Sequence, residues 1–561
     1  MKIFKLKHDI TLILIILIIV IISYLNFIFY GGFGSGDDIS LLLSVTNSNL
    51  GDLIKSSLVG DHADRPLSML LIDLTYYFYE DNVRLYIISS ILTWLFAVYF
   101  LSFVLLQFLN KKTVYIFLLI SPFPFFASSV FAGPYMFTQY FASILFWSIS
   151  LFFLVQYAKS KIIFTYFIGL FFLILSLITL EYIIPLLLLT IFFHIFYEIS
   201  KINIINKKLL IKFFLLYFLP VIIISLFYLI FKIYIVKLYA NYDIVYGVSA
   251  LNLKSVLQAI YYFVAIFVEI PLLLLGSFPY IFKYKLFFLP LALLIFFFFL
   301  INNNLNDQNN IQNKYISNKV NGFFLFILIL SLLLSTIIFF ISAYPSSTFG
   351  YYNRMMIPGF ISLTILVSIF LNRINRKRYL IIPVFLTLFW IFSMFIQLDN
   401  LIKSWEIRNE AIEDISTKLN KTKINDNFIL IANVPFFLKD NYNNEIVFFT
   451  TWNFEAHLNL VSGLNVSIWP ISHRILTDPM FYPNHNILNK LSFISDENNI
   501  YYYQIEEDDD ESIFEYLGNK YDMLIKFESI KSEKINNHPI ILREKIRLRL
   551  IKLIKDNFNI R

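Results

Sequence analysis

Cysteine is absent from all 561 residues, so disulfides, thiol catalysis and cysteine metal centres are excluded outright. Charge is scarce too: Asp, Glu, Lys and Arg make up 15% of a chain that is 58% hydrophobic, a balance that fits no soluble globular class. The net charge of +7 is spread over short connections, which makes it topology information and not a nucleic-acid surface. No small-residue cleavage site follows the first apolar run, residues 10 to 29, and that run is too long for a signal-peptide core. It is therefore a membrane span.

What the chain has in abundance is long apolar runs. Stretches of about 18 or more apolar residues recur through the first 400 positions, each long enough to cross a hydrocarbon core about 30 Å thick. The runs are continuous, not alternating, so they predict a polytopic helical bundle and not a barrel.

Lys2, Lys5 and Lys7 hold the N-terminus in the cytoplasm, and the loop from Gly31 to about Arg84 then faces outward. Spans are predicted near 85 to 109, 113 to 132, 135 to 156, 162 to 180, 182 to 198 and 209 to 236, with lysine-marked cytoplasmic turns between them. Residues 253 to 283, with Glu269 and Pro271, read as a re-entrant or interfacial hairpin, because counting them as a crossing would put the basic cluster at 372 to 378 outside. A crossing at 285 to 301 leads to a cytoplasmic Asn-rich linker. Spans at 321 to 343, 356 to 371 and 379 to 398 bring the total to about eleven. The composition then turns polar, which predicts a soluble domain over 399 to 561 following a membrane domain over 1 to 398. In that domain Trp405, Ile412, Ile415 and Leu419 mark a helix face, and "FILIANV" and "EIVFFTTW" read as short buried strands, giving an α/β domain.

The chemistry-bearing residues gather in the first outer loop, residues 31 to 84. Asp37 and Asp38 stand side by side in "GGFGSGDDISLLL", with Asp37 suited to cap a following helix. A second helix begins at Pro66 and sets Leu67, Leu70, Leu71, Leu74 and Phe78 on one face, as an interfacial helix would, with Asp73 on the polar side. Asp61, His62, Asp64 and Arg65 precede it. The loop thus concentrates charge where a lipid-linked head group would lie. Each residue also has a bland reading: a solvated turn for the acidic pair, a surface residue for His62, an interfacial anchor for Arg354 and a helix cap for Glu181.

This arrangement resembles the GT-C glycosyltransferase superfamily: one span, a long outer loop opening with an acidic pair, many further spans and a C-terminal outer domain. "GDDIS" followed by "DHADRPLSMLL" is similar to the acidic pair and Gly-Arg-Pro-Leu-like segment of bacterial Gtr-type O-antigen glucosyltransferases, with Asp64 where that segment has glycine. "LITLEYIIPL", with Glu181, and "STFGYYNRMMIPG", with Arg354, also suit the class.

The resemblance implies an inverting enzyme of the bacterial cytoplasmic membrane, its active site facing the extracytoplasmic side. It would move a sugar from a polyprenyl-phosphate donor to a glycan, lipid or protein acceptor, with membrane lipids around it and no nucleic acid as partner. Such a reaction needs a carboxylate base, for which Asp37 and then Asp38 are the candidates. It also needs cations on the departing phosphate, for which Arg65 and Arg354 are the candidates. Asp61, Asp64 and Glu181 are secondary candidates. A monophosphate donor requires no cofactor, while Mg2+ or Mn2+ held by Asp37 and Asp38, with His62, is the metal alternative.

The competing reading is a transporter or flippase of lipid-linked saccharides, which predicts broken or ionisable positions at mid-membrane and an internal repeat. No repeat is visible, and the charges concentrate at the outer boundary.

Overall fold

The computed structural model describes residues 6–33, 38–46, 48–59, 65–131, 133, 136–180, 183–199, 214–231, 267, 269–271, 273–275, 277–278, 288–304, 322, 324–335, 356–375, 380–421, 428–433, 451–462, 467–471, 499–504 and 524–526. In chain order the helices are α1 Leu6–Tyr30, α2 Asp38–Thr46, α3 Leu50–Val59, α4 Pro66–Tyr79, α5 Val83–Leu105 and α6 Lys111–Ile120. A 3-10 segment Phe125–Phe131 and a π turn Phe137–Phe141 lead into α7 Ala142–Ser160, α8 Ile163–Thr179 and α9 Ile184–Ile199. Then follow α10 Leu219–Ile230, α11 Phe288–Asn304, α12 Phe324–Ser335, α13 Ile357–Ile374, α14 Ile381–Lys421 and α15 Thr451–Ser462.

Among the described residues five helices are long and apolar enough to cross a membrane: Ile10–Tyr30, Val83–Leu105, Thr138–Ser160, Ile357–Ile374 and Ile381–Asn420. Five shorter apolar helices accompany them. The protein is a helical membrane protein. α1 shows why its helices suit lipid: Leu12, Ile15, Ile19 and Val20 are buried on one side, while Leu14, Leu17, Ile18 and Ile21 are exposed on the other. A helix apolar all round has no face for water.

The expected span over 113 to 132 is not one helix. α6 stops after ten residues at Ser121-Pro122-Phe123-Pro124, because Pro122 and Pro124 have no N–H to continue the helical ladder. A helix end inside an apolar bundle leaves carbonyls that must find donors. Three aromatic side chains supply them. Tyr24 Oη reaches Pro122 O at 2.6 Å, Trp94 Nε1 reaches Ser121 O at 2.9 Å, and Trp390 Nε1 donates to Ile120 O at 2.9 Å and Phe123 O at 3.0 Å.

At one end of the bundle, Asn302 Nδ2 donates to Asn375 Oδ1 at 2.9 Å, and Asn372 Nδ2 lies 3.4 Å from Asn110 Oδ1. The C-terminal ends of α11 and α13 and the start of α6 are therefore at the same end of the bundle. Most of the expected hairpin over 253 to 283 lies outside the described residues, apart from a short helical stretch in which Glu269 is buried.

α14 is 41 residues long, about 60 Å at 1.5 Å per residue and twice the hydrocarbon thickness. The compositional boundary expected at 398/399 falls inside this one unbroken helix. Ile412, Ile415 and Leu419 are buried along it, as their spacing predicts, and Trp405 is half-buried. Beyond it four strands, β1 Phe428–Asn433, β2 Ser467–Ile471, β3 Asn499–Gln504 and β4 Leu524–Lys526, pair in parallel in the order β2-β1-β3-β4. α15 is the crossover between β1 and β2. Pro470 falls on the edge strand, where a missing donor is tolerated. Of the segment "EIVFFTTW", residues 445–450 lie outside the described residues, and Thr451 and Trp452 open α15 instead of closing a strand.

Candidate functional site

The first loop folds as three short helices, and α2 and α4 pack against each other. Asp38 opens α2 and has no exposed surface. Its carboxylate accepts a hydrogen bond from Tyr76 Oη at 2.9 Å, Tyr76 being on the inward face of α4. Gly133 approaches the same carboxylate so closely that a Cβ there would collide with it, which is why this position needs glycine. Asp38 is thus held between the first loop and the segment joining the 3-10 turn to α7.

α4 turns its expected apolar face away from the bundle, as an interfacial helix does. Leu67, Leu70, Leu71 and Leu74 are only half-buried and Phe78 is 67% exposed, while Ser68, Ile72, Asp73 and Tyr76 are turned inward. Asp73, expected on the polar side of the helix, is buried there and accepts from Ser57 Oγ of α3 at 2.7 Å. In an apolar environment polar side chains gain by turning toward each other, not toward the surroundings.

Arg65 immediately precedes α4, half-buried, where the helix dipole presents its positive end. Asp37, Asp61, His62, Asp64, Glu181 and Arg354 lie outside the described residues. Among the described residues, no group of three or more His, Asp or Glu side chains is gathered as a metal site needs.

Around Asp38 runs a set of aromatic contacts. The Tyr76 and Tyr86 rings are 5.3 Å apart, Tyr86 and Phe33 5.8 Å, and Phe33 and Trp405 5.9 Å. Tyr86 Oη donates to Glu80 O at 2.5 Å, fixing the turn between α4 and α5.

Trp405 belongs to α14 and connects this network to the C-terminal region. His457 of α15 stacks on it at 5.4 Å and 2°. Arg408 Cζ lies 5.0 Å from its ring centroid, and Arg408 Nη2 donates to the carbonyl of Phe33. Burial, with Arg408 nearby, pulls the His457 pKa down to about 3, so the imidazole is neutral at physiological pH.

No family model, curated protein or solved structure matches the chain. The sequence singled out Asp38 and Arg65 in this region but missed Tyr76, Asp73, Gly133 and Arg408. Asp73 and Tyr76 carried a faint signal, two polar groups three apart in a helix otherwise rich in Leu. Arg408, in "KSWEIRNE", looks like any charge in a polar segment.

Proposed function

We propose that the protein is an inverting glycosyltransferase that takes a sugar from a polyprenyl-phosphate donor at the outer face of a bacterial cytoplasmic membrane. The observation that carries this reading is the carboxylate of Asp38, fully buried just beyond the first span and fixed by Tyr76 and Gly133. A carboxylate is not put in such a place for solubility. It anchors one end of the acidic pair, and Asp37, its chain neighbour, is then the base that takes the proton from the acceptor hydroxyl.

As the acceptor oxygen attacks the anomeric carbon, the bond to the polyprenyl phosphate breaks and the phosphate leaves with the electron pair. Arg65 and Arg354 receive that charge. In this reading about eleven crossings form the membrane domain, and the parallel sheet with α15 belongs to an outer α/β domain that selects the acceptor, a glycan, lipid or protein.

Incubating the reconstituted protein with polyprenyl-phosphate sugars and following release of polyprenyl phosphate tests the reading. Release that depends on Asp37 supports it, and no release with any donor and acceptor mixture refutes it. Transport of the same lipid-linked sugars would use a broken helix with open backbone groups at mid-bundle. The break after α6 is closed by Tyr24, Trp94 and Trp390, which gives that alternative no support.

A further inference from the structure

Gly31 to Phe33 form the stalk between α1 and the acidic pair, and α14 grips this stalk at two points. The indole of Trp405 lies flat against Gly32, leaving no room for a Cβ. Arg408, only 2% exposed, donates to the Phe33 carbonyl while its guanidinium rests over the Trp405 ring. His457 completes the stack from the other element, and α15, which carries it, also packs directly on α2. The contacts therefore run without a gap from α15, through Trp405 and Arg408, to Phe33, Tyr86, Tyr76 and the Asp38 carboxylate.

We propose that Arg408 is a positioning residue for the acidic turn, acting with Trp405 and His457 as a brace through which the C-terminal region holds the first loop in place. A guanidinium suits the role because it can donate to a backbone carbonyl and stack on an indole at the same time, which an ammonium cannot do in one geometry. The C-terminal region is then a structural component of the site. The brace stands on its own contacts, and its consequence for sugar transfer rests on the glycosyltransferase reading.

The cysteine-free chain permits a direct test. Ile39, next to Asp38 and 1% exposed, becomes the only thiol in Ile39→Cys, and Ala158→Cys, at a buried position in α7, serves as a remote control. With the brace intact, a water-soluble maleimide reacts slowly at both positions. Arg408→Gln and Gly32→Ala, which break the grip in different ways, each raise labelling at position 39 by about tenfold or more and leave position 158 protected. Trp405→Phe, which keeps a stacking ring, remains near the parent rate. On the glycosyltransferase reading the two disruptive variants also lose transfer and bind the donor more weakly.

Equal labelling at position 39 in every variant overturns the brace, and so does parallel exposure of position 158, which would signify general loosening. Labelling that responds as expected while the parent transfers no sugar from any donor leaves the brace standing and removes the glycosyltransferase reading.

Discussion

Tyr76 and Asp38 are 38 positions apart in the chain and 2.9 Å apart in the fold, with the phenol donating to a carboxylate that no solvent reaches. This bond ties α4 to the start of α2 and so defines where the acidic pair begins. Tyr76→Phe keeps the ring but removes this hydrogen bond to a charged group, a loss of about 1.5 to 3 kcal/mol. The expected result is a lower melting temperature in detergent with reduced transfer, and a variant as stable as the parent would show that the bond contributes nothing.

The two acidic residues should respond differently. Asp37→Asn is nearly isosteric but cannot take a proton, so transfer should fall by about 10² to 10⁴ with insertion and donor binding kept. Asp38→Asn should instead weaken the loop. Measuring transfer, donor binding and melting on the same purified variants separates a base from an anchor, and near-normal transfer in both single variants and the double one would remove the proposed mechanism.

How much of this was legible in the sequence varies by element for physical reasons. The spans at 85 to 109 and 356 to 371 correspond to α5 and α13, because a long apolar run in lipid has few alternatives to a helix. The run at 113 to 132 misled because hydropathy does not register Pro122 and Pro124, nor the aromatic donors from α1, α5 and α14 that make a break there tolerable. Composition turns polar after Gln397, while α14 runs through that point without a break in its backbone. Asp38 was legible from its place after the first span. Its partners were not, since Tyr76, Gly133 and Arg408 reach it or its stalk only through tertiary packing.

Sidedness can be read with single thiols. The asparagine contacts place the C-terminal ends of α11 and α13 and the start of α6 at the same end of the bundle. With that end cytoplasmic, Arg376→Cys should resist an impermeant reagent in intact spheroplasts and Thr450→Cys should react. The reverse pattern would invert the bundle.

His457 makes a prediction about acid. Its folded pKa is about 3, against an ordinary value of 6.5, because burial and then Arg408 disfavour the imidazolium. Above 6.5 the imidazole is neutral folded or unfolded, so this group costs no stability there. As the pH falls from 6.5 toward 3 the unfolded chain takes the proton and the folded one does not, so stability drops by about 1.4 kcal/mol per pH unit. His457→Phe keeps a ring on Trp405 and removes the titration. Melting temperatures at neutral pH and at about pH 5 should diverge for the parent and converge for the variant, and equal acid sensitivity in both would trace it to other groups.

The last prediction concerns where the chain can be cut. A truncation after Leu398 would end α14 within its buried stretch, removing Trp405 and Arg408 along with everything beyond. Composition alone suggests a clean separation there, with the membrane domain left able to bind donor. The fold predicts the opposite, because Gly32 loses the indole packed against it and Phe33 loses its charged donor, so the stalk of the acidic turn is released. A truncation after Lys421 keeps both residues and loses α15 with His457, and the strands. In the single-thiol background the shorter chain should therefore label rapidly at position 39 and bind lipid-linked sugar poorly. The longer one should stay closer to the parent in both measurements while losing acceptor transfer. Identical protection and donor binding in the two truncations would mean that α14 beyond residue 398 does not hold the loop, and that the compositional boundary is a structural one after all.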